Sequence, residues 1–133
     1  MLYTLIAIAA ALAFAGSALV IVLNRSGNSP SVWMVPAGLS VLFFAFSVFA
    51  IREGGALGFW VEHTRHLWGN QIWVDLLIAI GVAWAFIVPQ AKALGMRVLP
   101  WLAVIGATGS IGLLAMIARL LYLRDRVPAQ AGS

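Results

Sequence analysis

The sequence predicts an all-α protein of the membrane, and three observations lead to this prediction. Hydrophobic residues make up 63% of the 133 residues and charged residues only 9%, whereas a soluble domain has about 25% charged residues. The mean hydropathy is +1.03. Long apolar runs alternate with short polar stretches. Such a chain would expose a large apolar surface in water, so lipid is its expected solvent.

Four segments have the length and apolar composition of transmembrane helices. About 20 apolar residues cross the roughly 30 Å hydrocarbon core of a bilayer. Backbone groups in lipid must be hydrogen-bonded within the segment, which favours helices over open strands. The predicted spans are Leu2–Leu23, Val32–Ile51, Ile72–Pro89 and Val98–Leu123. Within them the only charges are Asp75 in the third and Arg119 in the fourth.

Short polar connections predict how the four spans pair. Asn24–Ser31 is rich in Gly, Ser and Asn and contains Pro30, and Gln90–Arg97 follows Pro89. Because short connections make neighbouring helices antiparallel, we expect two helical hairpins within a single domain covering residues 1–133. The longer connection Arg52–Gln71 joins the hairpins.

The N-terminal segment is expected to be a retained helix. No Lys or Arg precedes it, and its apolar run continues beyond the small residues Ala13–Gly16, unlike a cleaved signal peptide.

An even number of spans places both termini and the middle connection on one side. Five of the eight basic residues fall on that side: Arg52, Arg65, Arg119, Arg124 and Arg126. The positive-inside rule then predicts cytoplasmic termini in a bacterial inner membrane.

Cysteine and charge usage exclude several function classes. With no cysteine, the chain has no disulfide, thiolate chemistry or Cys-based metal site. The net charge of +4 comes without a basic run, so nucleic acid is not an expected partner. The basic residues sit singly near the ends of apolar segments, as lipid-headgroup anchors do. The expected partners are the bilayer and another membrane protein or a second copy of this chain.

Small residues predict close helix packing in the fourth span. Gly106, Gly109, Ser110 and Gly112 recur at three- and four-residue spacing in the sequence GATGSIG. Small side chains let helix backbones approach closely in lipid. Facing small residues are available on the third and first spans, at Ala79, Ala83, Ala11 and Ala15.

The stretch Trp60–Asp75, which covers the second half of the middle connection and the start of the third span, contains both histidines and three of the six tryptophans. Written as a helix, it has one face of aromatic and apolar residues and one polar face. The first face comprises Phe59, Trp60, His63, Leu67 and Trp68, and the second comprises Glu62, Arg65 and His66. Since Trp prefers the headgroup layer, this pattern predicts an interfacial helix, with Trp73 close by.

Two chemical roles compete with the interfacial interpretation of this connection. His63 and His66, with Glu62 or Asp75, are residue types that ligate zinc, and one histidine suffices as the axial ligand of a tetrapyrrole. Alternatively, Glu62 or Asp75 beside aromatic rings is suited to protonate an isoprenoid alkene or epoxide. Two histidines in a polar connection are more often solvated than metal-bound, so we expect no metal and no cofactor.

The two charges inside the spans are expected to pair. Asp75 lies about one turn inside the start of the third span, and Arg119 about one turn inside the end of the fourth. In an antiparallel hairpin both lie at the same depth, and an unpaired charge there is costly. The alternative is that Arg119 extends to the headgroups while Asp75 caps its helix.

The second half of the chain resembles a known group. Trp73–Arg97 reads WVDLLIAIGVAWAFIVPQAKALGMR, and the last span ends in YLRDR. This pattern, anchored at Asp75, Lys92, Gly95 and Arg124, resembles small four-helix bacterial membrane proteins grouped as a domain of unknown function. The resemblance covers residues 68–126 and implies fold and membrane location without an activity. Some membrane-bound terpene cyclases are distantly similar, as small bundles with acids at helix ends.

The function predicted from these features is that of an accessory or scaffold protein without enzymatic activity, in a larger inner-membrane complex. Transporters and channels usually need several intramembrane polar groups, and this chain offers two. The alternatives are an enzyme that acts on an isoprenoid or similar lipid by acid catalysis, and a pigment- or haem-binding subunit.

Overall fold

The computed structural model describes residues 1–23 and 32–131, and these residues form helices and turns without strands. The helices are α1 (Leu2–Leu23), α2 (Met34–Gly54), α3 (Gly58–Arg65), α4 (Leu67–Ala93), α5 (Val98–Thr108) and α6 (Ser110–Ala131). Three of them, α1, α2 and α4, are long and apolar enough to cross a membrane. The all-α class is therefore confirmed, and three helices have the length and composition of membrane spans. The predicted connection Asn24–Ser31 lies outside the described residues.

The fourth predicted span is not one helix. The chain turns at Gly109, whose backbone has φ +60° and ψ −123°, a conformation that glycine adopts readily and other residues avoid. It separates α5, whose 11 residues extend only about 16 Å, from the more polar α6. The continuous span Val98–Leu123 is thus replaced by two helices. Composition and hydropathy did not distinguish a glycine that packs helices from one that ends a helix.

Helix α4 is longer than the predicted third span. It begins at Leu67 instead of Ile72 and continues past Pro89 to Ala93. Proline has no N–H to donate, which weakens the preceding turn of the helix. In that turn the side-chain Nε2 of Gln90 donates a hydrogen bond to the carbonyl of Phe86 at 2.9 Å.

The end of α4 is closed by a Schellman motif. Gly95 has φ +71°, and its N–H donates to the carbonyl of Lys92 at 3.0 Å. The N–H of Met96 donates to the carbonyl of Ala91 at 2.9 Å. The apolar contact that accompanies this motif is present as well, because Met96 packs on the cluster that contains Ala91.

Helices α2 and α6 pack in opposite directions. The hydroxyl of Ser40 donates a hydrogen bond to the carbonyl of Ile111 at 2.9 Å, near the start of α6. Just before the start of α2, the ring of Trp33 meets the ring of Tyr122 edge to face, with centroids 5.5 Å apart. The start of α2 therefore lies beside the second half of α6.

The core lies where α4, α5 and α6 meet. Ala91 of α4, Ile105 of α5, and Met116 and Leu120 of α6 form one buried cluster. Helix α1 packs against none of the other helices in the described residues, and its side chains up to Leu19 are almost all exposed.

These contacts place the C-terminal half of α6 far from α3. Leu120 packs near the last turns of α4, whereas α3 packs at the start of α4. The 27 residues of α4 extend about 40 Å. The predicted arrangement, in which the middle connection and the C-terminal segment share one side, depends on a continuous fourth span. Because the chain turns at Gly109, α6 runs in the opposite direction to α5. The reason for placing the middle connection and the C-terminal segment on the same side is therefore lost.

Candidate functional site

The corner between α3 and α4 contains an aromatic cluster. The Trp73 ring lies 6.0 Å from Phe59 and 5.3 Å from His63, measured between centroids. His63 Nδ1 contacts the carbonyl of Phe59. Since a carbonyl only accepts hydrogen bonds, Nδ1 is the donor in this contact. His63 and Trp73 are half-buried.

Backbone geometry produces this corner. His66 is extended, with φ −138° and ψ 155°, so the chain leaves α3 and enters α4 at a sharp angle. Gly69 then lies directly against the backbone of Glu62 and His63. A Cβ at Gly69 would collide with the carbonyl oxygen of Glu62. Glycine is thus required at this position for α3 to fold onto α4.

The predicted interfacial face is divided between two helices. Phe59, Trp60 and His63 lie on α3, while Leu67 and Trp68 lie on α4, as does the nearby Trp73. Trp60 and Trp68 are 54% and 78% exposed, so both rings are free to contact lipid or its headgroups. The sequence pattern treated residues 59–68 as one helix because the extended residue His66 has no signature of its own.

The acidic residues near this corner do not converge on the aromatic cluster. Glu62 Oε1 lies 3.4 Å from an amino nitrogen of Arg65 on the exposed surface of α3. Asp75 is exposed on α4. Across residues 1–23 and 32–131, no three His, Asp or Glu side chains come close enough to share a metal ion.

The expected ion pair between Asp75 and Arg119 is not formed in the described structure, where Glu62–Arg65 is the ion pair. Asp75 precedes Ala91 by 16 residues, about 24 Å along α4. Arg119 lies beyond that point, in a cleft with the turn that follows α4. The two side chains are therefore at different depths, again because α6 turns back at Gly109.

The four small residues of the predicted packing stripe have different environments. A Cβ at Gly106 would meet nothing within 4 Å, whereas one at Gly112 would lie 3.0 Å from the Cα of Ile105. Gly109 forms the turn, and Ser110 begins α6. The close approach at Gly112 is thus between α5 and α6, which the sequence treated as one helix.

Most basic side chains lie where α2 begins and α4 ends, which we call the basic end. Its members in the described residues are Lys92, Arg97, Arg119, Arg124 and Arg126, and its one acid is Asp125. The opposite end, around α3, has two basic residues, Arg52 and Arg65, and two acids, Glu53 and Glu62. The charge of the molecule is therefore strongly asymmetric.

Two clefts open at the basic end, and Arg119 lines both. The first, the Arg97–Arg119 cleft, has a volume of about 380 Å³ and lies between the α4–α5 turn and α6. The second, the Trp33–Tyr122 cleft, has a volume of about 300 Å³ and lies between α2 and α6. Neither cleft was predictable from the sequence, because Arg97 and Arg119 are 22 positions apart and meet only through the reversal at Gly109.

Tyr122 organises the cations beside the second cleft. The guanidinium carbon of Arg126 lies 4.5 Å from the centre of the Tyr122 ring, and that of Arg119 lies 5.7 Å from it. Both distances are within the range of cation–π attraction. The ring thus holds two arginines near the clefts without neutralising their charge.

No protein-family model, curated protein or solved structure matches the chain. The resemblance of residues 68–126 to a group of small bacterial membrane proteins therefore stays a prediction.

Proposed function

We propose that the protein is an accessory subunit of a membrane complex in a bacterial inner membrane, without enzymatic activity of its own. The observation that carries this proposal is helix α1. Its side chains up to Leu19 are nearly all exposed, and it packs against no other helix in the described residues. A long apolar helix that packs on no other helix among residues 1–23 and 32–131 is available to a helix of another protein.

The residues of α1 favour association with a protein over contact with lipid alone. Apolar surface does not drive helix association in a bilayer, because lipid tails are equally apolar. Small residues do favour it, since they let two backbones approach closely. Ala7, Ala11 and Ala15 recur at four-residue spacing along one face of α1, and Ala9, Ala13 and Ser17 recur at the same spacing along the opposite face.

The acids and clefts also fit a role without catalysis. Glu62 is engaged with Arg65 on an exposed surface, and Asp75 lies on an exposed part of α4. Both clefts lie at the basic end, and neither is lined by a carboxylic acid. The geometry gives no support to acid catalysis on an isoprenoid by Glu62 or Asp75.

Charge asymmetry supports an orientation in the membrane. Five basic residues and one acid lie at the basic end, against two of each around α3. The positive-inside rule favours placing the more basic end in the cytoplasm. We infer that the end of α6 faces the cytoplasm and that α3 faces the opposite side.

The test is purification of the full chain from its native membrane in mild detergent, followed by native mass spectrometry. We expect a different protein to accompany the chain in fixed stoichiometry. Ala11→Leu with Ala15→Leu would fill one small-residue face and should release that protein. Ala9→Leu with Ala13→Leu adds the same bulk to the opposite face of α1, and the face whose filling releases the protein is the face that binds it. Recovery of the chain alone, or only as copies of itself, would refute the proposed function.

A further inference from the structure

The Arg97–Arg119 cleft contains two cations beside several apolar residues. It lies between the α4–α5 turn, the first turn of α5 and the outer part of α6. Polar atoms supply the larger part of its exposed lining, and the apolar and aromatic residues that border it are Leu94, Met96, Pro100, Trp101 and Leu123. Its volume of about 380 Å³ falls in the range of small-ligand sites.

The two guanidinium groups in this cleft lack a neighbouring carboxylate. No acid lines the cleft, and the ion pair found among the described residues, Glu62–Arg65, lies at the other end of the molecule. Two like charges in one partly apolar cleft repel each other, and an anion placed between them would relieve this repulsion. The cleft is therefore electrostatically suited to a negatively charged ligand.

The type of anion follows from the residues. The planar guanidinium donates paired hydrogen bonds to phosphate oxygens, which makes arginine a preferred phosphate ligand. Trp101 supplies an amphipathic ring of the kind found at the headgroup layer. Leu94, Met96 and Leu123 offer apolar surface beside the charges. This combination matches a phosphate group attached to a hydrocarbon chain.

The neighbouring Trp33–Tyr122 cleft extends this surface. It shares Arg119 with the first cleft, and its other lining residues are Trp33, Ala37, Ala118 and Tyr122. The position of Arg119 beside the Tyr122 ring, 5.7 Å from its centre, holds the guanidinium between the two clefts. An apolar chain has a path along α6 next to the cationic pair.

We propose that Arg97 and Arg119 bind the phosphate of an anionic phospholipid at the basic end. The shared chemistry is a phosphate oxyanion, and its two sources are a lipid headgroup and free phosphate. A lipid bound there would cover the junction of α4, α5 and α6, next to the buried cluster of Ala91, Ile105 and Leu120. This proposal is independent of which protein partner α1 has.

The test uses the delipidated full chain in neutral detergent. Native mass spectrometry measures binding of phosphatidylglycerol, phosphatidylcholine and inorganic phosphate, each added alone. We expect phosphatidylglycerol to bind more tightly than phosphatidylcholine, and added salt to weaken its binding. Arg97→Gln and Arg119→Gln should each weaken binding about tenfold, since each removes charge-assisted hydrogen bonds. Arg52→Gln, at the opposite end, is the matched control and should bind as the unaltered chain does.

The outcomes separate the two sources. Binding of phosphatidylglycerol that excess inorganic phosphate does not displace identifies a lipid site. Binding of inorganic phosphate without lipid, lost in the same two variants, identifies a free-phosphate site. Equal binding of both phospholipids, no effect of salt, or an equal loss in Arg52→Gln would overturn the proposal. If the glutamine variants do not fold, the lipid preference and salt dependence of the unaltered chain still decide it.

Discussion

The hydroxyl of Thr108 accepts a hydrogen bond from the amide N–H of Gly112 at 3.0 Å. The same hydroxyl donates to the carbonyl of Val104 at 2.7 Å. Thr108 therefore links the last turn of α5 to the first turn of α6 across the reversal at Gly109. The free N–H groups at the start of a helix need such acceptors. This linkage spans the turn after which α6 runs back toward the end of α4.

Replacement of Thr108 tests that linkage. Thr108→Val keeps the shape of the side chain but removes both hydrogen bonds, and we expect it to lower the free energy of unfolding by about 1–2 kcal/mol. Thr108→Ser keeps the hydroxyl and is expected to stay close to the unaltered protein. Unfolding by sodium dodecyl sulfate in mixed micelles measures both. Equal stability of the valine and serine variants would show that the hydroxyl does not join the two helices.

Gly112 is expected to tolerate no added methyl group. A Cβ there would lie 2.8 Å from the Thr108 hydroxyl and 3.0 Å from the Ile105 Cα. We expect Gly112→Ala to cost about 1–3 kcal/mol, since α5 and α6 would have to separate.

Gly106→Ala is the matched control for that substitution. Its Cβ would meet nothing within 4 Å, so it should be neutral or stabilise α5 by up to about 0.5–1 kcal/mol through helix propensity. Thermal unfolding in detergent compares the two. A similar loss in both variants would contradict the close approach of Ile105 and Gly112.

The sign of the effect at Gly109 distinguishes a turn from a continuous helix. At φ +60° and ψ −123° an alanine is strained, and we expect Gly109→Ala to lower the free energy of unfolding by about 1–3 kcal/mol. In a continuous transmembrane helix, the same change would raise helix propensity and stabilise the protein. Unfolding in mixed micelles gives the sign directly, and a stabilised variant would restore the uninterrupted span expected from hydropathy.

Removal of the charge of Asp75 should have little effect on stability. Asp75 and Arg119 lie at different depths, so we expect Asp75→Asn to change the free energy of unfolding by less than about 0.5 kcal/mol. Exchange of the two residues, Asp75→Arg with Arg119→Asp, should not raise the free energy of unfolding above that of the Asp75→Asn variant. A clear destabilisation by Asp75→Asn that the exchange reverses would re-establish the ion pair predicted from the sequence.

Hydropathy predicted the helical class and four spans, of which three correspond to long apolar helices, because these features depend on composition over 20 or so residues. The break at Gly109 was not predictable in this way, since glycine is equally suited to close packing and to a turn. His66 likewise ends α3 through its extended backbone alone. Each of these differences from the prediction arises at a single residue. The turn at Gly109 places Arg119 in the cleft with Arg97 instead of beside Asp75.

The last prediction concerns which residues share a side of the membrane. Ala56, in the turn between α2 and α3, is exposed, and Val127 of α6 is 57% exposed. They lie at opposite ends of the described helices, with α3 at the start of α4 and the second half of α6 beside its end. A four-span bundle would instead place both on one side. The chain has no cysteine, so Ala56→Cys and Val127→Cys each provide a unique label.

Labelling with a membrane-impermeant maleimide compares right-side-out spheroplasts with inside-out vesicles. We expect Ala56→Cys to react in spheroplasts and Val127→Cys in inside-out vesicles, because the basic end is retained in the cytoplasm. Both variants should react fully after solubilisation in detergent, which controls for buried thiols. Reaction of both from the same face would refute the reversal of α6 within the membrane. Reaction from opposite faces with the sides exchanged would keep the reversal but overturn the orientation inferred from charge.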